Sequence, residues 1–227
     1  MSQVPRLLIN LKAYPQAVGE RALYIAKQVE KVWKETGVPI GVAPNFIDLS
    51  LLASEVEVPV FAQHADPVEP GARTGQVPVG VLKSIGVKGS ILNHSERQIL
   101  LKDIRSSVEM LRELGLTSVV CAPTPAESAA VSSLDPDAVA IEPPELIGTG
   151  IPVSRAKPEV VTDSVRSVMG VNPKVKVLCG AGITSGEDVS AAIKLGSYGV
   201  LVASAVAKSS DPYKKVRELA DPFVRLI

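Results

Sequence analysis

The 227-residue sequence predicts a single (β/α)8 barrel spanning residues 1–227, and three observations carry that expectation. Short apolar runs recur eight times, at 6–10, 38–43, 58–63, 89–92, 117–121, 138–141, 175–179 and 199–202, each the length of a buried strand. Helical patterns lie between most of them, and strand alternating with helix argues a parallel sheet whose eight units are the number that closes a barrel. No linker rich in Gly, Pro or Ser interrupts the series, and 46% hydrophobic residues suffice for one sizeable core. A doubly wound open sheet is the architectural alternative, but it does not call for eight near-equal units.

The covering helices follow from periodicity. Within 16–34, Ala22, Ile25, Ala26, Val29, Val32 and Trp33 fall at helical spacing, and 108–114 and 187–195 read the same way. Units five and six are cramped. Between Cys121 and Ala138 a loop, a helix and a turn must fit into sixteen residues that include Pro123, Pro125 and Pro136. Shortened helices are expected in these two units, and the apolar surface left exposed there would be hidden by another subunit.

Composition excludes several classes of partner. Lys plus Arg and Asp plus Glu both number 24, so a nucleic acid or an anionic membrane has no electrostatic footprint to bind. No apolar run approaches the ~20 residues of a membrane span. Met1 to Arg6 leads into a strand without a signal-peptide pattern, and Cys121 and Cys179 are widely separated, without metal-type spacing. Buried reduced thiols and a cytoplasmic location are the expectation.

In such barrels the catalytic groups stand at the C-terminal ends of strands, and phosphate sites form after strands seven and eight. The residues at those ends are Asn10 and Lys12, Gln63 and His64, residues 93–96, Glu142, residues 180–182, and Ala203 with Ser204. Glu142 stands out among them. It closes the apolar run 138–141 and is followed by Pro143 and Pro144, which fix two φ angles and push Glu142 toward extended geometry. Gly148 and Gly150 leave the far end of the segment free to swing. This is a way to build a lid beside a base; an ordinary strand-to-helix loop is the alternative.

Taken together these motifs resemble the triosephosphate isomerase family over nearly the whole chain. They are Asn10-Leu-Lys12, Ala62-Gln63, Thr74-Gly75, Asn93-His94-Ser95-Glu96-Arg97, Ile141-Glu142-Pro143 and Ile147-Gly148-Thr149-Gly150. The chain departs from the family pattern at Cys179-Gly-Ala-Gly-Ile183, where loop seven usually reads Tyr-Gly-Gly-Ser-Val. It departs also at Glu145, where a lid tryptophan is common, and at Ala203-Ser204 in place of two glycines. The compact units five and six resemble the archaeal branch, which implies a homotetramer, a dimer of dimers.

The resemblance implies a TIM barrel that interconverts dihydroxyacetone phosphate and D-glyceraldehyde 3-phosphate through an enediolate, in glycolysis and gluconeogenesis. It implies Glu142 as the base, and His94 and Lys12 as opposing electrophiles. Asn10 would donate a further hydrogen bond, and Glu96 would orient Lys12 or relay protons. His94 precedes Ser95-Glu96, read as a helix start whose positive end would keep the imidazole neutral. Phosphate would be held by backbone N–H groups at Gly148, Gly150, Gly182, Ala203 and Ser204, with Asn10 and Lys12 also touching substrate. Thr74 and Gly75 would reach into a neighbouring subunit's site, and His64 is a loop-packing residue. No metal and no organic cofactor is expected.

Other readings remain open on sequence alone. Another phosphosugar isomerase or aldolase would need a Schiff-base lysine on strand six, or an acid–base pair on strands one and five. A phosphopentose epimerase would need more histidines than the two present. A non-catalytic phosphometabolite sensor would have lost the base or the electrophiles.

Overall fold

The computed structural model describes residues 4–143 and 152–226. Eight strands alternate with helices. The first four units are β1 (Leu7–Asn10), α1 (Glu20–Thr36), β2 (Ile40–Ala43), α2 (Leu49–Glu55), β3 (Phe61–Ala62), α3 (Val79–Ser84), β4 (Gly89–Leu92) and α4 (Leu101–Glu113). The second four are β5 (Thr117–Ala122), α5 (Pro125–Ser132), β6 (Ala138–Ile141), α6 (Val153–Ala156), α7 (Pro158–Val171), β7 (Lys176–Cys179), α8 (Gly186–Lys194), β8 (Gly199–Val202), α9 (Ser204–Ala207) and α10 (Pro212–Val224). The strand order is β2-β1-β8-β7-β6-β5-β4-β3, with every pairing parallel. A single bridge joins the two ends of that order: Val42 pairs with Val60, and its N–H donates to the Pro59 carbonyl at 3.0 Å. The sheet is thereby a nearly closed (β/α)8 barrel.

Because side chains alternate across a strand, the barrel has two cores. Leu8, Phe61, Ile91, Cys121, Ala140 and Leu178 point into its interior, whereas Leu7, Ile9, Val42, Val120 and Val139 face the helices. Among the described residues Phe61 is the one fully buried ring in the interior cluster, with half-buried Tyr198 packed against that cluster, and glycines make room for Phe61. A Cβ on Gly89 would lie 2.6 Å from its ring, and one on Gly41 would lie 2.9 Å away. Losing the ring would cost about 3–5 kcal/mol.

The helices seal the outer core through one face each. On α1 the buried residues are Ala22, Ile25, Ala26, Val29 and Val32, and Gly37 ends the helix in the left-handed conformation by donating its N–H to the Trp33 carbonyl. α4 begins earlier than the 108–114 periodicity indicates, because its first residue, Leu101, is exposed and adds nothing to the buried stripe of Ile104, Val108 and Leu111. In unit five the helix is short, at 8 residues. The shortening expected in unit six is not found, since α7 runs for 14 residues, and among the described residues between Ile141 and Lys176 α6 precedes it.

Candidate active site

A cleft at the C-terminal ends of the strands is lined by Asn10, Lys12, His94, Glu142, Gly182, Ala203 and Ser204, drawn from five units of the barrel. Each is held there by a local reason that can be named.

Glu142 follows the last residue of β6, and its N–H extends the sheet by donating to the Ala122 carbonyl at 2.9 Å. The residue is 2% exposed. Its Oε1 lies 3.3 Å from His94 Nε2, while Oε2 is buried without a partner among the described residues. Gly180 gives the carboxylate its place: a Cβ there would sit 2.7 Å from Glu142 Cγ. Cys121, beneath it in the barrel interior, is a free thiol whose pKa is pushed well up by burial and then by the Glu142 charge; Cys179 is likewise free, and burial raises its thiol to about 12.

His94 is buried, and its Nδ1 accepts the Glu96 backbone N–H at 3.1 Å. An accepting Nδ1 carries no proton, so the ring is neutral with its hydrogen on Nε2, the nitrogen that faces Glu142. Here the helix-start expectation is corrected. Residues after His94 form a turn, in which the Arg97 N–H reaches the His94 carbonyl at 2.7 Å, and α4 does not begin until Leu101. Asn93 imposes the turn from a left-handed φ of 56°. Its side chain donates to the Cys121 carbonyl at 2.9 Å and accepts the Ile99 N–H at 3.0 Å. One aimed backbone N–H, not a helix dipole, sets the tautomer.

Lys12 also has a positive φ, of 50°, a conformation that costs a lysine about 1–2 kcal/mol. Two neighbours hold it: Asn10 Oδ1 accepts the Lys12 N–H at 2.9 Å, and Gln63 Nε2 donates to the Lys12 carbonyl at 3.1 Å and to the Ala43 carbonyl at 3.0 Å. The ammonium reaches Glu96 Oε1 at 2.7 Å. Glu96 thus serves twice, its side chain fixing Lys12 and its backbone fixing His94.

The opposite wall is made of small residues and backbone. Gly182 has φ 71°, and α9, four residues long, starts at Ser204 directly after Ala203. The first N–H groups of any helix lack intrahelical partners, so this wall presents donors. Tyr14, Gly180 and Thr184 also line the cleft. Tyr14 and Thr184 were not singled out for the site by sequence, and Gly180 stood there only as part of the strand-end stretch 180–182; the use of its missing side chain has no signature until its neighbour is placed.

Thr74 and Gly75 lie apart from the cleft of their own chain, in the exposed stretch 69–76. Its base is clamped. Asp66 exchanges backbone and side-chain hydrogen bonds with Val77 at 2.8 and 2.6 Å, and buried His64 meets Asp66 Oδ1 at 3.0 Å, a loop-packing role. Burial works against ionisation of Asp66, but the Val77 N–H, His64 and Arg97 outweigh it and hold the carboxyl below its usual range. Gly148 and Gly150, with most of the expected lid, lie outside the described residues. Among the described residues no group of three or more His, Cys, Asp or Glu side chains could hold a metal ion.

The triosephosphate isomerase family model matches residues 5–221. The chain belongs to the triosephosphate isomerase family. It is 53% identical to the triosephosphate isomerase of Pyrobaculum arsenaticum over 97% of this chain and 99% of that one. With the triosephosphate isomerase of Methanocaldococcus jannaschii it shares 50% identity over 94% of this chain and 97% of the relative, and with that of Archaeoglobus fulgidus 49% over 96% and 98%.

Proposed function

We propose that this isomerase interconverts dihydroxyacetone phosphate and D-glyceraldehyde 3-phosphate in the cleft, with Glu142 as the base. The observation that carries the reading is the opposition of Glu142 Oε1 and the Nε2–H of neutral His94 at 3.3 Å. A proton next to a carbonyl is weakly acidic, so its removal needs a positioned base and donors aimed at the oxyanion that develops. The Glu142 carboxylate takes the carbon-bound proton, and the electron pair of the broken bond forms the enediolate. A hydroxyl proton passes from one enediolate oxygen to the other beside His94, moving the negative charge with it, and Glu142 then returns its proton to the neighbouring carbon. The His94 N–H and the Lys12 ammonium stabilise the oxygen, Asn10 and Glu96 hold Lys12 in place, and burial of Glu142 keeps water from weakening the base. Positioned base catalysis contributes roughly 10²–10⁴-fold.

Phosphate is held opposite, by backbone N–H groups at Gly182 and at Ala203-Ser204, supported by the helix start after β8; sequence adds Gly148 and Gly150. Thr74 and Gly75 enter a second copy's site. The exposure of 69–76, and of Ile47 (76%), Leu51 (42%) and Val81 (42%), supports a dimer. Leu100 and Leu101, 62% and 53% exposed beside the short α5, support pairing of dimers into a tetramer. The two free buried thiols suit a reducing cytoplasm and a place in glycolysis and gluconeogenesis.

The test is a coupled assay of glyceraldehyde 3-phosphate isomerisation on the wild type beside Glu142→Gln. Turnover in the wild type with a loss of about 10³-fold or more in the variant is expected; an inert wild type would sink the isomerase reading. Light scattering tests the assembly, and a fully active monomer would overturn it.

A further inference from the structure

Loop seven, residues 180–185, reaches the cleft through Gly180, Gly182, Ile183 and Thr184, yet no cationic side chain of units seven or eight lines it. Phosphate held by backbone alone depends on where the N–H groups point, so something must fix this loop. The hydrogen bonds converge on one buried carboxylate. Asp188, 2% exposed, accepts at Oδ2 from the Thr184 N–H, the Thr184 hydroxyl and the Ser185 N–H, each at 3.0 Å, and donates its own N–H to Ser185 Oγ at 3.3 Å. The Thr184 carbonyl accepts from Lys215 Nζ of α10 at 3.1 Å. Every polar group of Thr184 is therefore committed to a charged partner.

The other oxygen of Asp188 faces a different unit. Its Oδ1 meets Arg155 Nε at 2.9 Å, and Arg155 belongs to α6, the element between β6 and α7. A helix cap needs only the Ser185 and Asp188 exchange; the arginine is superfluous to it.

We propose that Asp188 and Arg155 form a positioning pair that sets the phosphate-binding backbone of loop seven. The pair does not touch substrate; it acts through Thr184 and rests on the assignment of the phosphate site above. Removing Arg155 leaves the α8 cap intact but strands one oxygen of a buried carboxylate, which then recruits a new partner by moving loop seven.

Arg155→Ala separates this role from capping. The measurement is KM, kcat and competitive inhibition by inorganic phosphate for the wild type, Arg155→Ala, Arg155→Lys and Glu187→Gln, with thermal unfolding of each. Arg155 also reaches the exposed Glu187 at 3.1 Å, so Glu187→Gln controls for surface charge and is expected to match the wild type. Arg155→Ala is expected to raise KM and the phosphate inhibition constant together, by about 5–20-fold, with kcat within about threefold. Arg155→Lys is expected to recover part of the loss, as a point charge with a different donor geometry. KM and the phosphate constant unchanged in an active Arg155→Ala would overturn the pair's role and leave the isomerase reading standing. An inert wild type would overturn both.

Discussion

The two walls of the cleft are built differently. Units one, four and six contribute Lys12, His94 and Glu142, functional side chains fixed by short-range bonds and, at Lys12 and Asn93, by left-handed backbone. Units seven and eight contribute Gly182, Ala203 and Ser204, small residues for which the proposal makes the backbone the functional group, and loop seven is bonded from outside the cleft through Thr184 and Ser185 to Asp188 and through Thr184 to Lys215. Chemistry that needs charge at a point uses side chains; binding a phosphate from several directions uses N–H groups and requires small residues. The two walls should therefore fail in different ways when altered.

Lys12→Met attacks the side-chain wall most directly. It removes the cation from the cleft and leaves Glu96 without its 2.7 Å partner, so kcat/KM should drop by roughly 10²–10³-fold in steady-state kinetics. A loss under tenfold would mean that the charge does not act on the reacting oxygen.

Gly180→Ala sharpens the comparison, because Gly180 belongs to the phosphate wall by sequence but supports the base by contact. A Cβ 2.7 Å from Glu142 Cγ must displace the carboxylate, and a misplacement near 1 Å costs about 10²-fold. The loss should appear in kcat while inhibition by phosphate stays near wild type.

Thr74→Arg tests a region that belongs to neither wall of its own chain. Activity at low protein concentration should fall by about tenfold and recover as concentration rises, in step with the dimer seen by light scattering. Activity independent of concentration would contradict the cross-subunit role.

The smallest effect is on acid stability. Burial works against ionisation of Asp188, yet the Thr184 N–H, the Ser185 and Thr184 hydroxyls and Arg155 hold its carboxyl below the usual range; Asp66 and Glu218 are also lowered. A folded pKa below the unfolded one stabilises the protein above the unfolded value, and the benefit is lost as pH falls through the folded one. The thermal unfolding midpoint should be level from about pH 7 to 5 and decline below about pH 4. In Asp188→Asn the decline should be shallower.

Much of this was legible in the sequence, and the reason differs by region. The eight strands showed as apolar runs because each is buried on both faces, and Glu142 showed because an acid ending such a run is costly unless it has a purpose. Lys12 and His94 were readable as motif residues. The tautomer of His94 was not, since it depends on where one peptide N–H points, and Ser95-Glu96 looked like a helix start until Asn93 held it as a turn. Gly180 and the Arg155–Asp188 pair were hidden for a shared reason: each acts across units, through contacts that local pattern does not encode. Unit six was expected to be thin because the stretch between Cys121 and Ala138, with Pro123, Pro125 and Pro136, is cramped, but that constraint acts on unit five alone, and α7 forms downstream from its own buried residues Val161, Ser164 and Val168.

The most direct test of the division between the walls is Glu142→Asp, assayed for kcat and for inhibition by inorganic phosphate. Shortening the side chain by one methylene withdraws the carboxylate from its place opposite His94 and leaves units seven and eight unaltered. A fall in kcat of about 10²-fold or more, with the phosphate inhibition constant within about twofold of wild type, is the expected result. An undiminished kcat, or a phosphate constant that rises with the loss of rate, would contradict it.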